Sequence, residues 1–158
     1  MKRILIVDDE KNMCTVLSML FRGEGYDVAC AGDGAEAVRR LEQGDLVDLI
    51  VSDLKMPGGD GLGILDYLKA TERDIPLILI TAYGTIPDAV QAVKKGAVDF
   101  ITKPFNSEMI VHTVGRVFRT VELERSNRIL SESIAEDRVV CESPQMLEIL
   151  ALARKFAA

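Results

Sequence analysis

The sequence of 158 residues contains no tryptophan, one histidine and only three cysteines. Because His112 is alone, any site that needs two imidazole groups is excluded. Cys14, Cys30 and Cys141 are odd in number and scattered, which is typical of neither a disulfide framework nor a zinc cluster, so we interpret them as small core residues. No apolar run approaches the ~20 residues of a membrane span, and the N-terminus lacks the long apolar region of a signal peptide. We therefore expect a cytoplasmic protein without membrane contacts.

Basic side chains are outnumbered by acidic ones. The chain has 19 basic and 25 acidic residues and a formal net charge of −6. Proteins that hold nucleic acid through their own phosphate contacts are usually basic, so direct binding of nucleic acid is not expected. Hydrophobic residues make up 48% of the chain and charged residues 28%, which is the balance of an ordinary globular domain with a full core.

Short apolar runs alternate with segments of helical spacing over the first 105 residues. The runs are typical of buried strands and lie at residues 4–7, 28–29, 49–51, 77–80 and 100–101. The helical segments between them are marked by apolar residues at 16–20, 37–41, 64–68 and 89–93, and glycines follow several of them. This alternation predicts an α/β protein, a parallel sheet with helices on both faces.

The pattern changes after Pro104. Ser107 is placed to cap a helix, and no glycine or proline interrupts the helical pattern between Val117 and Pro144. A turn-like break is predicted over residues 139–146, followed by an amphipathic stretch to residue 156. The helix that begins near Ser107 is longer than one domain needs, which is typical of a linker or a coiled coil.

The extension of this last helix carries a seam of regular spacing. Leu123, Asn127, Leu130 and Ile134 are separated by four, three and four positions, as at the a and d sites of a parallel coiled coil. Asn127 would then be a buried polar residue that sets the register. We expect a homodimer through this helix, and a solvated linker is the alternative.

Polar residues follow four of the predicted strands at the point where each strand ends. Asp8 and Asp9 follow the first, Asp53 the third, Thr81 the fourth and Lys103 the fifth. In a doubly wound sheet these ends open onto one crevice, so the five side chains should converge. Three carboxylates repel one another unless a cation joins them, and oxygen ligands of this kind suit Mg²⁺.

The remaining two groups indicate what the crevice would bind. An ammonium and a hydroxyl, from Lys103 and Thr81, are placed to hold phosphoryl oxygens beside a carboxylate nucleophile. Taken singly, each residue has an ordinary structural interpretation, such as a helix cap for Asp8 or a solvated charge for Lys103. Their joint occurrence at four strand ends favours a site in which an aspartyl phosphate forms.

Four segments resemble the receiver domain of two-component response regulators over residues 1–122. They are Ile6-Val-Asp-Asp-Glu10, Asp53-Leu-Lys-Met-Pro-Gly-Gly-Asp-Gly61, Thr81-Ala82 and Lys103-Pro-Phe105. The resemblance implies a flavodoxin-like sheet of order 2-1-3-4-5 and a cis peptide bond before Pro104. It implies that Asp53 accepts phosphate from a sensor histidine kinase. It also implies that Asp8, Asp9, Asp53 and the carbonyl of Lys55 hold Mg²⁺.

The same resemblance implies roles for residues around the phosphorylation site. Thr81 and Lys103 would bind the phosphoryl group, and Thr81 with Phe100 would form the conformational switch. The side chains of Lys55 and Tyr83 would tune the lifetime of the phosphoryl group.

The tail, residues 140–157, is similar to the start of the ATPase domain of sigma-54-dependent transcriptional activators, although Cys141 stands where glycine is more usual. We therefore expect a receiver over 1–122, a helical linker over 123–138 and the truncated start of an output domain over 139–158. Sigma-54 RNA polymerase and DNA would be contacted only through domains outside this sequence.

The leading hypothesis is a signalling module that is not an enzyme and whose phosphorylation controls self-association. A Mg²⁺-dependent phosphatase or phosphotransferase, and a passive interaction domain, are the alternatives. The glycine cluster at Gly58, Gly59 and Gly61 lacks a following Gly-Lys-Ser/Thr, so it does not predict a nucleotide-binding P-loop.

Overall fold

Five strands and five helices alternate in the part of the chain that the structure describes. The structure, a computed structural model, describes residues 1–57, 59–82 and 86–141, without the side chains of 86–89 and 130–141. The strands are β1 (Arg3–Val7), β2 (Asp27–Ala31), β3 (Leu49–Asp53), β4 (Leu77–Thr81) and β5 (Asp99–Thr102). The helices are α1 (Lys11–Gly23), α2 (Gly34–Glu42), α3 (Gly61–Ala70), α4 (Ile86–Lys95) and α5 (Ser107–Cys141).

All strands are parallel and lie in the order β2-β1-β3-β4-β5. This is the predicted flavodoxin-like fold, and every predicted strand lies within an observed one. Val7 at the end of β1 is paired with Ala31 of β2 and Ser52 of β3, so the three strands end together. The residues that follow them are therefore brought to one edge of the sheet.

Side-chain alternation divides the core into two layers. Leu5, Val7 and Ile50 point to one face and pack with buried residues of α2, α3 and α4. Ile4 and Ile6 have the opposite parity and are fully buried as well. Helix α1 packs against β1 and β2 on this face, and α5 buries Ile110, Val114 and Val117 near its start.

The helical faces differ in detail from the sequence prediction. The buried stripe of α1 is Cys14, Leu17 and Phe21, whereas Val16, which the apolar pattern included, is 60% exposed. On α4, Val90 and Val93 are likewise exposed, with exposed fractions of 45% and 61%. Each segment offers more apolar residues per turn than one helix face can bury, so the apolar pattern alone did not select the buried ones.

Short polar residues begin three of the helices. The carboxylates of Asp33 and Asp60 accept hydrogen bonds from the backbone N–H groups of Glu36 (2.7 Å) and Gly63 (2.8 Å) at the starts of α2 and α3. The predicted cap of α5 at Ser107 is wrong by one residue. The side chain of Asn106 accepts from the N–H of Met109 at 2.7 Å, and Ser107 is already the first helical residue.

Helix α5 continues through Cys141. Residues 139–141, predicted to lie in a turn-like break, are therefore helical, because no glycine or proline stops the helix before Pro144. Residues 142–158 and the side chains of Leu130 and Ile134 lie outside the described residues. The chain forms two compact units, Met1–Val117 and Phe118–Ala158, and the domain boundaries suggested by the sequence stay predictions. Among the described helices, none is long and apolar enough to span a membrane.

Candidate functional site

Three carboxylates meet where β1 and β3 end. Asp8 directly follows β1, Asp9 comes next, and Asp53 is the last residue of β3. These two strands are neighbours in the sheet, and one oxygen from each of the three carboxylates lies within 4.8 Å of the others. The sequence predicted this convergence from strand ends that are far apart along the chain.

Lys103 reaches into this group from the end of β5. Its Nζ lies 2.7 Å from Oδ2 of Asp53 and 3.3 Å from Oδ2 of Asp8. The Lys103 backbone N–H donates to the carbonyl of Thr81 at 2.7 Å, which fixes the start of the loop after β5. The next peptide bond, before Pro104, is cis, as the resemblance implies. The ammonium therefore bridges two of the three carboxylates.

Asp8 is the buried member of the group, with 3% of its surface exposed. Burial raises the pKa of its carboxyl. This effect outweighs the hydrogen bond from the Glu10 N–H and the charge of Lys103, which both lower the pKa. The Glu10 N–H donates to Oδ1 of Asp8 at 2.8 Å, so both carboxylate oxygens have protein partners. The site holds one anion that is costly to keep ionised without a nearby cation.

The pKa of Lys103 is raised as well, which for a lysine favours the charged form. Burial by itself lowers the pKa of its ammonium, but the hydrogen bond to Asp53 and the charges of Asp8 and Asp53 outweigh burial and raise the pKa overall. Lys103 is therefore protonated at neutral pH and supplies a fixed positive charge.

Asp53 is held at its other oxygen by the chain that follows it. The backbone N–H of Lys55 donates to Oδ1 at 3.1 Å, and the side chain of Asp53 keeps 12% of its surface exposed. Its backbone carbonyl accepts from the Ser52 hydroxyl at 2.9 Å. Asp53 is thus oriented by neighbours on both sides and still reachable from solvent.

Gly61, considered only as part of a glycine cluster in the sequence, has a structural role behind Asp53. A Cβ at this position would lie 2.7 Å from the carbonyl oxygen of Asp53 and 2.4 Å from Cδ2 of Leu79. The first turn of α3 therefore packs directly on the backbone of the site, which only glycine allows. Spacing along the sequence carries no signal for this contact.

The two predicted switch residues lie on neighbouring strands. Thr81 ends β4, is 1% exposed, and is paired in register with Thr102 of β5. Phe100 of β5 is half-buried and packs against the core layer that includes Leu79, its partner in register. Tyr83 lies outside the described residues.

The donor set of this group fits a hard divalent cation. It consists of carboxylate oxygens, and one ammonium faces three carboxylates, which leaves the cluster with excess negative charge. Asp8, Asp9 and Asp53 are the residues that could hold such an ion, and Mg²⁺ is the ion that this chemistry favours.

A pair of thiols next to Asp8 was missed by the sequence analysis. The Cys14 thiol donates to the backbone carbonyl of Asp8 at 3.7 Å, and the Cys30 thiol donates to the backbone carbonyl of Cys14 at 3.9 Å. Burial raises the pKa of Cys14 to about 12. The alternation of side chains along β2 could have indicated part of this contact, because it places Cys30 on the same face of the sheet as Ile6, beneath α1.

Comparison with known proteins agrees with the arrangement. A family model described as the response regulator receiver domain matches residues 4–115. The transcriptional regulatory protein GlrR of Escherichia coli (strain K12) is 35% identical over 154 residues, which cover 98% of this chain and 33% of that protein. The C4-dicarboxylate transport transcriptional regulatory protein DctD of Rhizobium meliloti (strain 1021) is 34% identical over 127 residues, covering 80% and 27%. This chain thus spans between a quarter and a third of the length of these relatives.

Solved structures show the same fold. The solution structure of the beryllofluoride-activated NtrC4 receiver domain dimer is 38% identical, with a TM-score of 0.70, and the match covers 76% of this chain and 98% of that one. NtrX from Brucella abortus in complex with ADP is 31% identical, with a TM-score of 0.75, covering 82% and 30%.

Proposed function

The chain belongs to the response regulator receiver domain family, and from this premise we propose that Asp53 accepts a phosphoryl group from a sensor histidine kinase. The observation that carries the proposal is the Lys103 bridge. A protonated ammonium lies 2.7 Å from Asp53 and 3.3 Å from Asp8, beside a carboxylate that remains partly exposed. A positive charge so placed stabilises the negative oxygens of an incoming phosphoryl group.

In the proposed reaction a carboxylate oxygen of Asp53 attacks phosphorus. A new O–P bond forms, and the bond between phosphorus and the kinase histidine nitrogen breaks, leaving the electron pair on nitrogen. The Lys55 N–H already orients Asp53 through Oδ1, which leaves Oδ2 on the side of Lys103. Thr81 and Lys103 then bind phosphoryl oxygens, and the side chains of Lys55 and Tyr83 tune how long the group persists.

Mg²⁺ belongs to the same proposal. Asp8, Asp9, Asp53 and the carbonyl of Lys55 would hold the ion, which when bound supplies positive charge that offsets the phosphoryl group and the acidic cluster. The role of the protein residues is to hold the carboxylates together before the reaction, since Asp8 is fixed by Glu10 and Lys103.

We expect Mg²⁺ to stabilise the fold, because the ion relieves the repulsion among three carboxylates that lie together only in the folded chain. At a hundredfold excess over its Kd the free energy of unfolding should rise by about 2.7 kcal/mol. Thermal unfolding measured with and without millimolar Mg²⁺ at constant ionic strength checks this. The double variant Asp8→Asn/Asp9→Asn should lose the shift, and Asp60→Asn, a change of equal chemistry at the α3 cap, should keep it. A wild-type melting temperature that is indifferent to Mg²⁺ contradicts the site.

The readout is proposed to run through Thr81 and Phe100. A phosphoryl group on Asp53 draws in the Thr81 hydroxyl, and Phe100 moves into the space that is vacated. The surface around α4, β5 and α5 is then repacked as a two-state population shift.

Thr81→Ala should therefore leave phosphorylation largely intact and weaken its effect on self-association. The matched control is Thr102→Ala, which removes the same hydroxyl from the exposed residue paired with Thr81. Phosphate incorporation and sedimentation, measured on the same samples, separate the two steps. An undiminished response in Thr81→Ala at equal phosphorylation would show that this hydroxyl does not carry the signal.

We further propose that self-association controls a transcription-activating output domain of the sigma-54-dependent type. The match to a transcriptional regulatory protein extends over 154 residues, well beyond the receiver model that ends at residue 115. A solved relative is a receiver domain dimer in its beryllofluoride-activated form. Within the second unit, Leu123 on α5 is 66% exposed, as expected for a side chain that a second helix would cover.

The proposed coiled coil through Leu123, Asn127, Leu130 and Ile134 predicts a homodimer. Leu123→Glu/Leu130→Glu places charges on its seam and should shift the chain to monomer, as measured by sedimentation with and without beryllofluoride. Arg125→Gln, which changes the charge by one unit off the seam, should leave the dimer intact. A wild type that stays monomeric in both states at tens of micromolar would overturn the proposal.

A further inference from the structure

Two thiols lie together beneath α1, although they are sixteen residues apart in the sequence. Cys30 of β2 is paired in register with Ile6, so its side chain points to the face of the sheet that α1 covers. Its Sγ lies 3.2 Å from the Ser18 hydroxyl and 3.9 Å from the carbonyl oxygen of Cys14, both on α1. Cys14 and Cys30 are therefore neighbours across a helix–strand interface that is already formed.

The pair is reachable from solvent on one side. Both thiols line a cavity of about 610 Å³ between α1 and the end of β2. Cys14 is buried, whereas Cys30 is partly exposed. The cavity is lined by charged groups of both signs, with Lys11 and Arg22 beside the carboxylates of Asp8, Asp9 and Glu36. Cys30 is the thiol that a reagent in the cavity meets first.

We propose that Cys14 and Cys30 form a thiol-modification site, at which a low-molecular-weight disulfide oxidises the pair to an intramolecular disulfide. The Cys30 sulfur attacks the reagent, a mixed disulfide forms, and one half of the reagent leaves as a thiol with the Cys30 proton. The Cys14 sulfur then attacks the Cys30 sulfur, and the second half leaves as a thiol with the Cys14 proton. The protein loses two hydrogens, and the reagent disulfide is reduced to two thiols.

The geometry supports this order of events. The Cys30 sulfur begins 3.9 Å from the backbone carbonyl oxygen of Cys14, and the disulfide needs the two sulfurs to approach to about 2.05 Å. The product ties α1 to β2 and removes the Cys14 S–H that donates to the carbonyl of Asp8. The chemistry is distinct from the proposed phosphorylation at Asp53, since neither sulfur takes part in that reaction.

Oxidised glutathione, added to the folded chain of 158 residues, tests the proposal, with the products trapped by alkylation and mapped by mass spectrometry of peptides. Three thiols allow three pairings, and we expect the pairing of Cys14 with Cys30 to predominate under native conditions and to lose that preference in denaturant. Cys14→Ser should stop the reaction at glutathione on Cys30. Cys30→Ser should leave Cys14 unmodified in the folded chain.

Ser18→Ala is the matched variant, because it removes the hydroxyl next to Cys30 without removing a thiol, and it should form the disulfide at least as fast as the wild type. Three results would overturn the proposal: persistent glutathione on Cys30 in the wild type, a native disulfide made chiefly with Cys141, or no reaction at any thiol. If Cys14→Ser does not fold, the wild-type mapping alone still decides between these outcomes.

Discussion

Replacement of Asp53 by asparagine is expected to reduce the incorporation of phosphate from acetyl phosphate with Mg²⁺ to background. The amide lacks the carboxylate oxygen that attacks phosphorus, yet its carbonyl can still accept the hydrogen bond that Asp53 receives from the Lys55 N–H at 3.1 Å. Because asparagine has nearly the same shape as aspartate, a loss of labelling would show that the carboxylate oxygen is needed for the reaction. Circular dichroism checks that the fold is retained.

The matched control is Asp60→Asn. Asp60 caps α3, and asparagine caps a helix about as well as aspartate, so labelling should remain at the wild-type level. If Asp53→Asn is labelled as strongly as the wild type, with the phosphoryl group on Asp8 or Asp9, the assignment of the nucleophile is wrong.

The largest expected effect on stability comes from Gly61→Ala. The added Cβ would lie 2.4 Å from Cδ2 of Leu79 and 2.7 Å from the carbonyl oxygen of Asp53. The leucine can shift, but the carbonyl belongs to the backbone of a buried strand end, so α3 has to move away from β3. Overpacking of this kind costs about 1–3 kcal/mol, and we expect the upper end of that range because backbone is displaced.

Gly63→Ala, two residues along the same helix, is the control. Its Cβ would lie 3.4 Å from Oδ1 of Asp60 and meet nothing closer, and replacing glycine by alanine within a helix favours folding by up to about 1 kcal/mol. Urea unfolding should therefore shift in opposite directions for the two variants. Equal midpoints for Gly61→Ala and the wild type would show that α3 does not pack on Asp53 as described.

The sequence predicted the sheet and the convergence of the site because both depend on local signals. A buried strand is marked by its apolar run, and the residue after that run is brought to the shared edge by topology alone, which is how Asp8, Asp53 and Lys103 were placed together. Their mutual distances followed only from the structure, since the reach of Lys103 across β4 depends on the twist and register of the strands.

The details that the sequence missed depend on packing between elements. A helical pattern with surplus apolar residues leaves the buried face of α1 ambiguous, so it does not indicate that Val16 is exposed while Cys14, predicted as a core residue, is buried. The close approach of Gly61 to Asp53, and the contact between Cys14 and Cys30, are distances between separate elements. The alternation along β2 indicates only which face Cys30 is on, and no spacing along the chain gives either distance.

The most direct test of the central claim is to treat the wild type with acetyl phosphate and Mg²⁺ and follow intact mass together with acetyl phosphate consumption. We expect each chain to retain one phosphoryl group, and this group to map to Asp53. Once the chain is labelled, acetyl phosphate should be consumed only as fast as the chain dephosphorylates itself. Continued turnover of acetyl phosphate with no retained phosphoryl group would contradict the account and indicate an enzyme that acts on external substrates.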